Sequence, residues 1–61
     1  MNKKEQLLSR IEHQTNTKLI DDSKKRNWIH AEINDPNVLY FLNKNGIRHE
    51  KHIKNYYFIK V

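Results

Sequence analysis

The chain has no cysteine and only one glycine and one proline among its 61 residues. Without cysteine there can be no disulfide staple and no thiolate zinc site, which sets aside the disulfide-rich secreted class and favours a reducing, cytoplasmic compartment. With so little glycine and proline there is no linker to divide the chain, and residues 1–61 read as one small domain. No apolar run is long enough for a bilayer. The opening "MNKKEQLLSRIEHQ" lacks the hydrophobic region of a signal peptide, so the chain reads as mature as written, with no membrane partner.

A domain of this size buries only about 60% of the surface its unfolded chain exposes, which leaves little room for an enclosed active site. There is no glycine-rich phosphate loop and no serine elbow. Nothing in the pattern sets two of the carboxylates Glu12, Asp21, Asp22 and Glu32 around a pocket, with Asp21 and Asp22 reading as part of a solvated connector or as caps for something nearby. Neither an enzyme nor a cofactor is expected. The segment "RHEKHI" offers His49, Glu50 and His52, but these histidines are three apart, not four, and on a strand they point to opposite faces. Only a coincidental approach of His30 would complete a set of ligands, so no metal site is expected.

What the chain does have is positive charge, and it is unevenly placed. Residues 1–23 carry four basic and four acidic side chains, residues 24–43 three and two, and residues 44–61 five and one, for a net +5. An excess gathered at one end is the form of an electrostatic footprint for an anionic partner, although a few surplus lysines also serve solubility.

Periodicity supplies the elements. From Asn2 to about Thr15, the residues Leu7, Leu8, Ile11 and Thr15 recur on one face of a helix, with the end falling between Gln14 and Ile20. "NWIHAEI" alternates, placing Ile29, Ala31 and Ile33 on one side and Trp28, His30 and Glu32 on the other, as in a strand. "NDPNVLYFLNKNGI" predicts a helix over 36–45. Asp35 caps it, Pro36 sits at its first position, Val38, Leu39, Phe41 and Leu42 form its apolar stripe, and Gly46 ends it with Ile47 closing back on Leu42. Two strands follow, Ile47 to about His52 and Tyr56 to Val61.

The connection between those strands decides which residues share a face. A three-residue loop, Ile53-Lys54-Asn55, pairs His49 with Ile59 and Lys51 with Tyr57. It is favoured over a two-residue loop because it collects Ile47, Tyr57, Ile59 and Val61 on one apolar side, with Asn55 as the left-handed residue. The fold class is therefore α+β, in the order α-β-α-β-β. A three-stranded sheet is packed by two helices, with the helix over 36–45 crossing between neighbouring strands. The alternative is a winged helix, with 24–34 helical and the C-terminal hairpin as the wing.

These readings lead to a small non-enzymatic binding protein. In the favoured register Arg48, Glu50, His52, Tyr56, Phe58 and Lys60 share one hairpin face, so that Tyr56 and Phe58 can stack bases while cations hold phosphates. If the first helix covers that face instead, the two rings are core. Trp28 is either a core anchor or a further stacking surface. The candidate nucleic-acid contacts are Lys24, Lys25, Arg26, Lys44, Arg48, Lys51, Lys54, Tyr56, Phe58 and Lys60, with DNA or RNA as partner. The alternative is an inhibitor or adaptor of phage or mobile-element type that docks on an acidic protein. A related possibility is a homodimer formed through an exposed edge of the first or the C-terminal strand.

Overall fold

The computed structural model describes residues 2–61. Asn2 is extended, and its side chain accepts from the Glu5 N–H at 2.8 Å, which starts helix α1, Lys3–Thr15. The helix stops because Asn16 turns left-handed at φ 57° and returns its N–H to the Glu12 carbonyl at 2.8 Å. Asn adopts the left-handed conformation more readily than most residues, and the Thr17 hydroxyl bonds the Thr15 carbonyl at 3.4 Å and the Asp35 carboxylate at 2.8 Å, away from any helical continuation. Leu7 and Ile11 are buried, and so is Leu19, from the non-helical connector.

Helix α2, Pro36–Lys44, begins at Asp35, whose carboxylate accepts from the Asn37 N–H at 2.9 Å and from the Thr17 hydroxyl at 2.8 Å. It closes with two reciprocal bonds, Ile47 N–H to the Leu42 carbonyl at 2.9 Å and Gly46 N–H to the Asn43 carbonyl at 3.2 Å. Gly46 sits at φ +64°. This is the Schellman closure expected from the position of the glycine, and Ile47 packs against the core as that closure requires.

The strands are β1 (Trp28–Glu32), β2 (His49–Lys51) and β3 (Tyr56–Lys60). They form an antiparallel sheet in the order β1-β3-β2. His49 pairs with Ile59 and Lys51 with Tyr57, the register of the three-residue loop. The expectation that the first two strands are neighbours is not met. β3 lies between them, since its run Tyr-Tyr-Phe-Ile suits a central position while the short, charged His-Glu-Lys of β2 suits an edge.

Three further expectations are corrected. The left-handed loop residue is Lys54, at φ 50°, and not Asn55. The carbonyl of Asn55 accepts from Ile33 N–H at 2.8 Å and its amide donates to Asn34 at 2.8 Å, which ties it to the exit of β1. The winged-helix alternative fails because 28–32 is a strand paired along its length with β3. Of the two strands expected as edges, the C-terminal one is interior and the first is an edge. β3 is paired on both sides, and the outer edge of β1 is occupied where Asp22 N–H bonds the His30 carbonyl (3.0 Å) and His30 N–H bonds the Asp21 carboxylate (2.9 Å). The other edge of the sheet is β2.

Ile29, Ala31, Ile33 and Ile59 meet Leu7, Ile11, Leu19, Val38, Phe41 and Leu42 in one buried cluster. Tyr57 and Val61, on the same side, are partly buried against it. Both helices therefore lie on one face of the sheet. The other face, with Tyr56 and Phe58, is not beneath α1.

Candidate nucleic-acid interface

Alternation puts every second residue of the three strands on the face away from the helices, and the register aligns them in rows. Trp28 pairs with Lys60, His30 with Phe58 and Glu32 with Tyr56. Glu50 lies on the other side of Phe58. Lys60 and Tyr56 meet Arg48 and His52 through backbone bonds of 2.8 Å each. The resulting surface has Trp28, Lys60 and Arg48 at one end, His30, Phe58 and Glu50 in the middle, and Glu32, Tyr56 and His52 at the other end.

The rings contact one another. Trp28 meets Phe58 edge to face at 6.3 Å, and the Lys60 ammonium lies 5.3 Å above the Trp28 ring, within cation–π range. His30 stacks on Tyr56, with centroids 5.1 Å apart and planes 17° from parallel, and packs on Phe58 at 4.6 Å. His52 lies 4.9 Å from Phe58. All the rings but that of His52, which is exposed, belong to partly buried residues. Each covers part of its neighbour and leaves the remainder open.

The connector before β1 forms the rim of this face. Asp21 organises it by accepting from Ser23 N–H at 2.8 Å and His30 N–H at 2.9 Å, and by pairing with Lys4 of α1 at 2.8 Å. Lys4 also donates to the Ser23 carbonyl at 3.2 Å. Burial raises the Asp21 pKa, but the Lys4 and backbone hydrogen bonds together outweigh it, so the carboxyl is held below its ordinary value. The segment is thereby pinned with Lys24 and Lys25 lining a hollow of about 490 Å³ shared with Trp28, His30, Glu50, His52 and Phe58.

The structure thus brings together Tyr56, Phe58, Lys60, Arg48, Lys24 and Lys25. Arg26 extends the basic rim toward Lys3 and Lys4 at the start of α1. Lys44 is elsewhere, on the helical side, with its ammonium 5.9 Å from the exposed Tyr40 ring. Lys51 pairs with Tyr57 and so belongs to the helix-side face of β2, and Lys54 is at the hairpin tip.

Trp28, His30 and His52 join the surface, although the sequence supports them only weakly as site residues. Alternation in "NWIHAEI" is the signal for Trp28 and His30, informative once β1 is placed beside β3, and the hairpin register is the signal for His52. Asp21 and Asp22 lie in the connector and bond nearby groups, Asp21 accepting from the Ser23 and His30 N–H groups and the exposed Asp22 bonding the His30 ring. His49 turns away from the open face and donates through Nδ1 to the Ile47 carbonyl at 2.8 Å. Among the described residues no three His, Asp or Glu side chains gather as metal ligands, and no helix is long and apolar enough to cross a membrane. Comparison with known protein families, curated proteins and solved structures gives no match.

Proposed function

We propose that the protein is a non-enzymatic, cytoplasmic nucleic-acid-binding module, regulatory in role, that takes single-stranded RNA or DNA on the open sheet face. The observation that supports this reading is the row of Trp28, Phe58, His30 and Tyr56 on the face neither helix covers, with Lys60, Arg48, Lys24 and Lys25 at one end. Aromatic faces on a sheet stack unpaired bases, and neighbouring cations hold the phosphates between them. A duplex keeps its base faces stacked inside and offers them to no such surface. Lys44, Lys51 and Lys54 add long-range attraction without touching the stacked bases.

The test is fluorescence anisotropy with labelled ten-nucleotide single strands over a range of salt. Log affinity should fall linearly with log salt, at about 0.7 per phosphate neutralised on a single strand. Tyr56→Ala and Phe58→Ala should each weaken binding by about 1–3 kcal/mol. A flat salt response, or no binding at low salt, would contradict the reading and pass the same face to an acidic protein partner.

A further inference from the structure

His30 is the most firmly held polar side chain of the open face. Its side chain is 17% exposed, its Nδ1 bonds an Asp22 oxygen, and its Nε2 lies 3.1 Å from Nδ1 of His52. A carboxylate only accepts, so the hydrogen in the first bond sits on His30 Nδ1. In a neutral imidazole the other nitrogen is then a lone pair. The hydrogen between the two rings must therefore come from His52 Nδ1. A neutral His52 carrying its hydrogen on Nδ1 has a bare Nε2. That atom has no hydrogen-bond partner among the described residues, and His52 is exposed.

We propose that the chain Asp22–His30–His52 fixes His52 as an outward hydrogen-bond acceptor which, with the Glu50 carboxylate, selects guanine over uracil among bases stacked on this face. The inference rests on the nucleic-acid reading above. Glu50 lies two residues from His52 on the same side of the hairpin and lines the same hollow. Two neighbouring acceptors require two neighbouring donors. Guanine offers these on its pairing edge as the ring N–H and the amino group. Uracil offers one N–H flanked by two carbonyl oxygens, whose lone pairs would face the acceptors. Cytosine and adenine, each with one amino group beside a bare ring nitrogen, fall between. Lys60 and Arg48 lie one row beyond Glu50 and two rows from His52, so a strand whose phosphates they hold turns its pairing edge toward His52 and Glu50. Asp22 is a positioning residue here, acting on His52 only through His30.

Two measurements at pH 8.5 separate the parts. Nitrogen-edited NMR of the imidazoles in the free protein should show hydrogen on Nδ1 of both His30 and His52. Asp22→Ala should move His52 toward the Nε2–H form, and Asp22→Asn, whose amide oxygen still accepts, should preserve the parent pattern. A parent His52 found as Nε2–H would overturn the chain whatever the protein binds. The second measurement compares the ribonucleotides UUGUU and UUUUU. The guanine-containing strand should bind about fivefold tighter or more, the lower end for one bidentate base contact. His52→Phe, which keeps a ring against Phe58 but removes the acceptor, should erase that ratio while still binding both strands. Equal affinity of the parent for the two strands would overturn the selection alone, and failure of both to bind would overturn it together with the reading beneath it.

Discussion

The two faces of the sheet are made from alternate residues of the same strands, yet they end in different environments. Ile29, Ala31 and Ile59 are fully buried under both helices, while Trp28, His30, Tyr56 and Phe58 pack sideways on one another with no helix above them. The apolar stripes of two short helices are sufficient for one sheet face in a domain of this size. The second face has as much ring surface but only lateral contacts, which makes it the part of the molecule that a ligand can complete.

The sharpest way to break this comparison is to truncate adjacent residues of β3. Ile59→Ala should cost about 2–5 kcal/mol, as buried aliphatic truncations do, and in so small a domain it should leave little folded protein. Phe58→Ala removes a cross-strand cluster member and should cost about 1 kcal/mol. Urea denaturation of the two variants checks the difference. Similar losses would mean that the open face is a second core.

Next in size is the connector that pins the rim. Asp21→Ala leaves two backbone N–H groups and Lys4 without their acceptor and should cost about 2 kcal/mol. Because the folded carboxyl titrates below its ordinary value, the unfolded chain takes up this proton first as pH falls. The stabilisation is complete above about pH 4 and is lost as pH drops through the lower folded value. Melting temperatures from pH 6 to 2 should therefore fall less steeply in Asp21→Asn than in the parent, starting from a lower plateau.

Gly46→Ala should cost about 1 kcal/mol, entirely from the left-handed backbone, because a Cβ there would meet no atom within 4 Å. Gly46→Asn should cost less, since Asn adopts this conformation more readily. Thermal melts of the two variants give the order. The smallest effect concerns Lys44, on the helical side. Lys44→Ala should leave the slope of the salt plot nearly unchanged, and Lys60→Ala should lower it by about 0.7. Equal slopes for the two variants would move the binding surface away from the open face.

Much of this is legible in the amino-acid sequence. Asp35, Pro36 and Gly46 mark both ends of α2 through backbone geometry, and the alternation around Tyr57 and Ile59 selects the hairpin register because the other register would divide the apolar side chains between faces. Strand order was less accessible. Whether β1 pairs with β2 or β3 depends on how α2 returns the chain, and the composition of the two strands favours β3 at the centre without fixing it. Lys54 takes the left-handed position because Asn55 is held by Asn34 and Ile33, a tertiary tie between segments far apart in the chain. The roles of Asp21, Asp22 and His30 depend in the same way on the connector lying along the edge of β1. The candidate site was half legible for this reason: its hairpin residues follow from one register, and its Trp28 and His30 half follows from a pairing that sequence pattern does not specify.

The most direct measurement is a backbone and side-chain NMR map of the protein as a uracil- and guanine-containing pentanucleotide is added at low salt. Shifts confined to Trp28, His30, Glu50, His52, Tyr56, Phe58 and the cations Lys24, Lys25, Arg48 and Lys60 are the expected result. Shifts on the helical side around Arg10, Tyr40 and Lys44, or none at any residue, would contradict the assignment of the open face as the binding surface.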